Sequence, residues 1–234
     1  IVVSGGTVDS ISGEAGSDSI VISGGTISTL DGATGSDTIN IAGGGVSLAL
    51  GGGDDSADLF SITGGQVGTI SAGGGNDTIN ISGTATVSLA SADAGTDLIS
   101  VSGSARIDTI DGGGDSDSIL VSGGTVSSIN AGSENDSVVI SGGSIGTIDA
   151  GSGNDTINIS GGGVSLALGG NDADFICVGT GANIDTINAG AGSNTITDAG
   201  DGADVITHDQ GSSTVTLAVT GTGAVTLNAS QAGA

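Results

Sequence analysis

Apolar side chains recur along this chain in fixed columns. Nine Gly- and acid-rich segments each close on an Asp: Asp18, Asp37, Asp58, Asp77, Asp97, Asp117, Asp136, Asp155 and Asp174. The spacings are 19, 21, 19, 20, 20, 19, 19 and 19 residues. Two residues after the Asp stand Ile20, Ile39, Phe60, Ile79, Ile99, Ile119, Val138, Ile157 and Ile176. Four residues after it stand Ile22, Ile41, Ile62, Ile81, Val101, Val121, Ile140, Ile159 and Val178. The positions between are mostly polar or Gly. Alternation of period two predicts a strand with one buried face. Counting ten residues back from each Asp gives Val8, Ile27, Leu48, Val67, Val87, Ile107, Val126, Ile145 and Val164, again all aliphatic. The next apolar residue lies only three further on, as in Val126 and Ile129, so this second strand is expected to bend.

Each period therefore reads as one coil. A strand follows the Asp, a Ser-Gly-Gly turn such as Ser141-Gly142-Gly143 reverses the chain, a bent strand returns it, and the acidic turn closes the coil. No coil can bury its apolar face alone, so the stack is the unit of stability. The expected fold is all-β, a parallel β-roll or β-solenoid with 19–20-residue coils. At about 4.8 Å per coil, nine coils make a rod of roughly 45 Å. A longer repeat overlies the short one: the segment from Asp37 to Leu50 recurs from Asp155 to Leu168, and the first copy carries two extra residues near Asp54-Asp55. The solenoid is expected over 1–210, as about nine regular coils and an irregular end. There Asn194 takes the Asp position, and Gly200-Asp201-Gly202-Ala203-Asp204 brings an acidic turn to the second edge. Residues 211–234 alternate without acids, as in Thr214 to Val219, and read as a cap or a link to a further domain.

Composition narrows the core and the partners. With 49 Gly, Phe60 and Phe175 as the aromatics, and no Met, Trp or Tyr, the chain can fill only a thin core between two close sheets. Against 26 acidic residues stand Arg106 and no Lys, a net charge of −25. Such imbalance opposes a compact state by self-repulsion and argues against nucleic acid or anionic membranes as partners. It favours divalent cations. Cys177 is the single cysteine, so no internal disulfide exists. No apolar run reaches the length of a membrane-spanning helix, so membrane insertion is not expected.

Stacking puts the nine turn carboxylates in a ladder about 5 Å apart. Neighbouring charges at that distance repel by roughly 0.8 kcal/mol in water, and by about 3 kcal/mol at an effective dielectric near 20. Cations between the rungs reverse that sign. Glycine lets backbone carbonyls approach closely, Asp supplies anionic oxygen, and Ca²⁺ takes six to eight oxygens in flexible geometry. The sequence carries no His/Cys cluster for a transition metal. The metal-site candidates are the nine ladder Asp residues, Asp204, Asp115, Asp172, Gly73, Gly75, Gly151 and Gly153, serving multiple Ca²⁺ ions.

Gly73-Gly74-Gly75-Asn76-Asp77-Thr78-Ile79, Gly151-Ser152-Gly153-Asn154-Asp155-Thr156-Ile157 and the turn from Gly200 to Ile206 resemble the nonapeptide of repeats-in-toxin (RTX) proteins. The resemblance extends over about residues 9–210 and implies a Ca²⁺-bound parallel β-roll exported by type I secretion. Elsewhere an acid stands where that pattern has Gly: Glu14, Asp54, Asp93, Asp115, Glu134 and Asp172. One acidic edge opposite a Ser-Gly-Gly edge is similar in layout to 19-residue RTX-like adhesin and surface-layer repeats.

The leading expectation is a non-enzymatic, secreted Ca²⁺-dependent structural region of a bacterial cell-surface protein, in a surface layer, filament or adhesin stalk. Self-association or contact with other surface proteins is expected. One alternative is an ice- or ligand-binding region of an adhesin, suggested by the outward pairs Thr38/Asn40, Thr78/Asn80 and Thr156/Asn158. Another is the C-terminal secretion domain of a toxin or protease. Leu59, Leu98, Leu120, Val139, Phe175 and Cys177 fall on outward columns, as scattered exposed residues or a contact face. His208 falls on an apolar column and reads as packing rather than catalysis.

Overall fold

The computed structural model describes residues 1–200, 204–208, 214–221 and 225–229. Every coil contributes one strand to each of two parallel faces. On the first face, Thr78–Ile81 pairs with Leu59–Ile62 of the preceding coil and Leu98–Val101 of the following one. On the second, Gln66–Ser71 lies between Gly45–Gly52 and Thr86–Ser91. The chain is a parallel β-solenoid with coils of about 19 residues, as the column spacing predicts.

Constant register turns sequence columns into core columns. Ile79 stacks between Phe60 and Ile99, and Ile81 between Ile62 and Val101. These side chains are fully or almost fully buried. At about 1.5–3 kcal/mol for each large aliphatic removed from water, the stacked columns are the main favourable term. The second strand bends as expected. In Gln66–Ser71, Val67 and Ile70 are buried while Gly68 and Thr69 between them are not. Two consecutive outward residues are the bend.

Coil length varies only at the edges. The two extra residues of the 21-residue coil lie in the acidic turn near Asp54-Asp55. The 20-residue coils are longer at the opposite edge, where buried Ala85 and Ala105 fill the added space. This corrects one expectation. Leu48 does not belong to the buried column; Ile27 pairs with Val46, which pairs with Val67, and Leu48 stands outward between Thr29 and Thr69. The insertion follows the strand, so counting back from Asp58 lands two residues late.

Beyond Val178 the coils continue. Ser193–Asp198 extends the first face and is followed there by Thr214–Val219. Asp204–His208 extends the second face and is followed by Val225–Ala229. The side chain of His208, residues 201–203 of the second-edge turn, and residues 209–213 and 230–234 around the expected tail boundary lie outside the described residues. The outward apolar positions are as expected, with Leu59, Leu120 and Phe175 well exposed and Cys177 paired in register with Asn158.

Candidate metal-binding edge

Each acidic turn except the one before Asp58 has two positions with left-handed backbone, four and two residues before the Asp. Gly73 and Gly75 hold φ of 109° and 111°, and Gly151 and Gly153 hold 100° and 127°. Where acids replace Gly the conformation is kept. Glu14 (72°), Asp93 (73°), Asp115 (69°), Glu134 (74°) and Asp172 (70°) all stand at these two positions, as does Ala33 (79°). Each costs on the order of 1–2 kcal/mol relative to Gly. Asp54, in the lengthened turn, is not left-handed; its Oδ2 accepts from the Gly35 N–H at 3.0 Å and the Ser56 hydroxyl at 2.8 Å. The turns pair with one another through bridges such as Ala94 to Gly74 and Gly114, so the edge is a third short ladder.

The turn Asp residues form a directional chain. The N–H of Asp77 donates to Asp97 Oδ1 (2.6 Å), that of Asp97 to Asp117 Oδ1 (2.8 Å), and that of Asp117 to Asp136 Oδ1 (2.8 Å). The same bond links Asp18 to Asp37, Asp37 to Asp58, Asp58 to Asp77, Asp136 to Asp155, and Asp155 to Asp174. From Asp37 to Asp174, one oxygen of each carboxylate is thus committed to the neighbouring coil's backbone. In all of these but Asp58 the other is orphaned. The Oδ2 atoms of Asp18, Asp37, Asp77, Asp97, Asp117, Asp136, Asp155 and Asp174 are buried with no hydrogen-bond partner.

Asn194 shows what that second oxygen faces. The Asp174 N–H donates to Asn194 Oδ1 at 2.8 Å, so the side chain sits in the ladder register. Its Nδ2 then donates to the carbonyls of Ala189 (2.7 Å) and Ala191 (3.2 Å), five and three residues earlier. In the Asp coils a carboxylate oxygen occupies the Nδ2 position. The glycines five residues before the Asp point the same way. A methyl added at Gly13 would meet Asp18 Oδ2 at 2.9 Å and the Gly32 carbonyl at 2.5 Å, and one at Gly169 would meet Asp174 Oδ2 at 2.7 Å and the Ala189 carbonyl at 2.6 Å. The inner edge is lined with oxygen.

Burying these carboxylates raises their pKa. Asp58, Asp77, Asp97 and Asp136 are pushed up to about 6, and Asp117 and Asp174 to about 7. Loss of water is the main cause. The backbone N–H bond opposes it, and neighbouring acids add to it. Asp37 and Asp155 shift upward for the same reasons. Asp115 and Asp172 have exposed side chains and are not gathered with the ladder carboxylates. They act on the ladder through charge, raising Asp117 and Asp174 respectively. Among the described residues, no three His, Cys, Asp or Glu side chains converge on a point. A hard cation here would have to be held by a ladder carboxylate together with backbone carbonyls, and the orphaned oxygens fit that role.

Asp204 lies apart, at the start of the strand Asp204–His208 on the second face. Its neighbour is Asp198, which stands in the otherwise apolar column between Val178 and Val219. Both are almost fully buried, and Asp198 Oδ2 and Asp204 Oδ1 are unpartnered. Burial raises Asp204 to about 6, and a hydrogen bond to Asp198 and its charge add to the shift. Sequence reasoning passed over Asp198; an acid in a column of Ile and Val was the available signal. It also placed Asn194 in the ladder without seeing that its amide bonds two carbonyls.

No family model matches this chain, and no curated protein matches it. Among solved structures it is similar to a hyperactive, Ca²⁺-dependent, β-helical antifreeze protein from an Antarctic bacterium. The TM-score is 0.59 and the identity 22%, over 95% of this chain and 83% of that one. This likeness concerns the fold.

Proposed function

We propose that this chain is a Ca²⁺-dependent structural solenoid of a secreted bacterial cell-surface protein, of RTX-like type. The observation that carries the reading is the row of buried Asp Oδ2 atoms without partners. An unpaired buried charge costs several kcal/mol, and eight of the nine ladder Asp residues, all but Asp58, leave the metal-free fold self-opposed. Cations at these oxygens remove the penalty. The ligands are the ladder carboxylates, from Asp18 to Asp174, with turn carbonyls completing each shell. The left-handed positions, including Gly73, Gly75, Gly151 and Gly153, shape the turns that present those carbonyls. Asp115 and Asp172 add negative potential beside Asp117 and Asp174. Asp204 with Asp198 forms a separate acidic locus on the second edge. Ca²⁺ suits the all-oxygen set.

Low intracellular Ca²⁺ would keep the acidic chain extended for export, and external Ca²⁺ would fold it, because binding free energy becomes folding free energy. The folded rod would then serve as a stalk, filament or layer element, associating with its own kind or with other surface proteins. Circular dichroism during Ca²⁺ titration tests the core of the proposal. Strand signal should appear with Ca²⁺ and collapse on adding EGTA; signal indifferent to EGTA would sink it.

A second reading, ice binding, is favoured by the antifreeze protein of similar fold and by Asn residues stacked along the turn. Asn76 Oδ1 accepts from the Thr96 N–H, Asn135 Oδ1 from the Asn154 N–H, and Asn154 Oδ1 from the Ala173 N–H. The outward Thr/Asn pairs speak against it. Thr38/Asn40, Thr78/Asn80 and Thr156/Asn158 are flanked in register by Leu59/Ser61, Leu98/Ser100 and Phe175/Cys177, so no continuous array forms. Thermal hysteresis of the Ca²⁺-loaded chain separates the two readings. Structural use predicts none, and ice shaping at micromolar protein would select the second.

A further inference from the structure

We infer that Asn194 is a built-in substitute for a cation, and that it ends the metal row at Asp174. The inference rests on the Ca²⁺ reading of the ladder and says where that ladder stops.

Asn194 takes the ladder register and burial of the Asp residues, although the next coil offers Val215 rather than another Asp at this register. Each accepts the N–H of the previous ladder residue on Oδ1, at 2.8 Å for Asn194 and 3.1 Å for Asp174. Each is almost fully buried, with relative exposures of 1% and 2%. The difference is the remaining atom. Asp174 Oδ2 has no partner, whereas Asn194 Nδ2 donates to the Ala189 and Ala191 carbonyls at 2.7 and 3.2 Å. An amide carries two N–H donors and no charge. Here both donors are spent on carbonyls lining the inner edge. A carboxylate at the same place sets a third oxygen against those two, and only a cation or a proton reconciles them. The amide therefore does by hydrogen bonding what the cation does in the other coils.

The closest match in the ladder is Asp97. Its turn reads Ala92-Asp93-Ala94-Gly95-Thr96-Asp97 against Ala189-Gly190-Ala191-Gly192-Ser193-Asn194, with Ala at both carbonyl positions. Both turns keep left-handed backbone at the two expected positions. Interconverting the two side chains should thus move a cation site along the rod without rebuilding the edge.

Native mass spectrometry of the full chain in Ca²⁺ reads this directly. Asn194→Asp should bind one Ca²⁺ more than the wild type, and Asp97→Asn one fewer, both with wild-type strand signal. Thermal melts in EGTA give a second readout. Asp97→Asn should melt higher than the wild type, because one unpaired charge is gone and two carbonyls have gained donors. Asp97→Ala loses the charge but supplies no donors, and should melt below Asp97→Asn. If Asn194→Asp does not fold, the Asp97 pair decides. An unchanged ion count in both Asn194→Asp and Asp97→Asn, or equal melts for Asp97→Asn and Asp97→Ala, would overturn the inference. A wild type that binds no Ca²⁺ would overturn the ladder reading beneath it.

Discussion

The two edges of the solenoid solve the same turning problem with different chemistry. Both use left-handed backbone, the acidic edge in every coil but the one that closes on Asp58. At the Ser-Gly-Gly edge the residues that adopt it are glycines, such as Gly44 (82°) and Gly65 (81°). At the acidic edge five acids and Ala33 adopt it as well. Among the described residues, the row of buried carboxylate oxygens without partners runs along the acidic edge, and the opposite edge adds Asp198 Oδ2 and Asp204 Oδ1 at one end. Strain that persists needs something to over-determine it, and a cation that draws in carboxylate and carbonyl oxygen would supply it. Along its regular coils the opposite edge has no such source of binding energy and keeps to the residue that is strain-free.

The largest expected effect comes from pH, and it has opposite signs with and without metal. In the unfolded chain an Asp titrates near 3.9. In the metal-free fold Asp58, Asp77, Asp97 and Asp136 titrate at about 6, and Asp117 and Asp174 at about 7. Between those values the fold binds more protons than the unfolded chain, so its stability falls as pH rises. The metal-free stack should be most stable below about pH 4 and lose that stability progressively up to about pH 7. With Ca²⁺ bound, protons compete for the same oxygens, and acidification should weaken the fold. Strand signal against pH, measured in EGTA and in Ca²⁺, should give slopes of opposite sign. Parallel slopes would mean that the acidic edge does not differ from its counterpart in the way argued.

Next in size is a strike at the Ser-Gly-Gly edge. A methyl at Gly44 would stand 2.6 Å from the Gly25 carbonyl oxygen, on a φ of 82°. Gly44→Ala should destabilise by about 2–4 kcal/mol, combining left-handed strain with overpacking. The loss should appear as a lower Tm in saturating Ca²⁺ with an unchanged ion count. At the acidic edge the change runs the other way. The triple variant Asp115→Gly, Glu134→Gly and Asp172→Gly relieves strain of about 1 kcal/mol per site. It also removes acids that push up Asp117, Asp136 and Asp174. It should melt higher than the wild type in EGTA. It should also need a few-fold more Ca²⁺ to fold, with no change in ion count. A drop in ion count would show that these side chains bind metal directly.

Much of this was legible in the sequence because a solenoid repeats its environment. Period-two columns such as Ile20/Ile22 marked the first face, and Val126/Ile129 marked the bend in the second. Turn Asp residues at near-constant spacing marked the ladder. What stayed hidden depends on distances between coils. That Asp97 gives one oxygen to a backbone N–H and leaves the other bare follows from coil rise and turn shape, which no residue type encodes. Glu14 and Asp172 could be seen to replace Gly, but only the backbone shows that they accept its conformation. Asp198 was obscured because the Asp frame stops at Asn194.

The smallest predicted effect concerns how the edges absorb extra residues. The 21-residue coil places its insertion in the acidic turn near Asp54-Asp55, leaving the strand before it in frame, with Val46 buried and Leu48 outward. An insertion within the strand would reverse the two, since the frame counted back from Asp58 puts Leu48 in the buried column. Val46→Ala should cost about 1–3 kcal/mol, as deletion of buried methyl groups does, whereas Leu48→Ser on an outward column should stay within about 0.5 kcal/mol. Equilibrium unfolding in saturating Ca²⁺ resolves both. Reversed losses, with Leu48→Ser the costlier, would place the insertion in the strand rather than in the acidic turn. The asymmetry expected here follows from the chemistry of the two turns. The acidic turn takes two extra residues, with Asp54 bonding the Gly35 N–H and the Ser56 hydroxyl, while the Gly-Gly edge takes one in each 20-residue coil, where buried Ala85 and Ala105 fill the space.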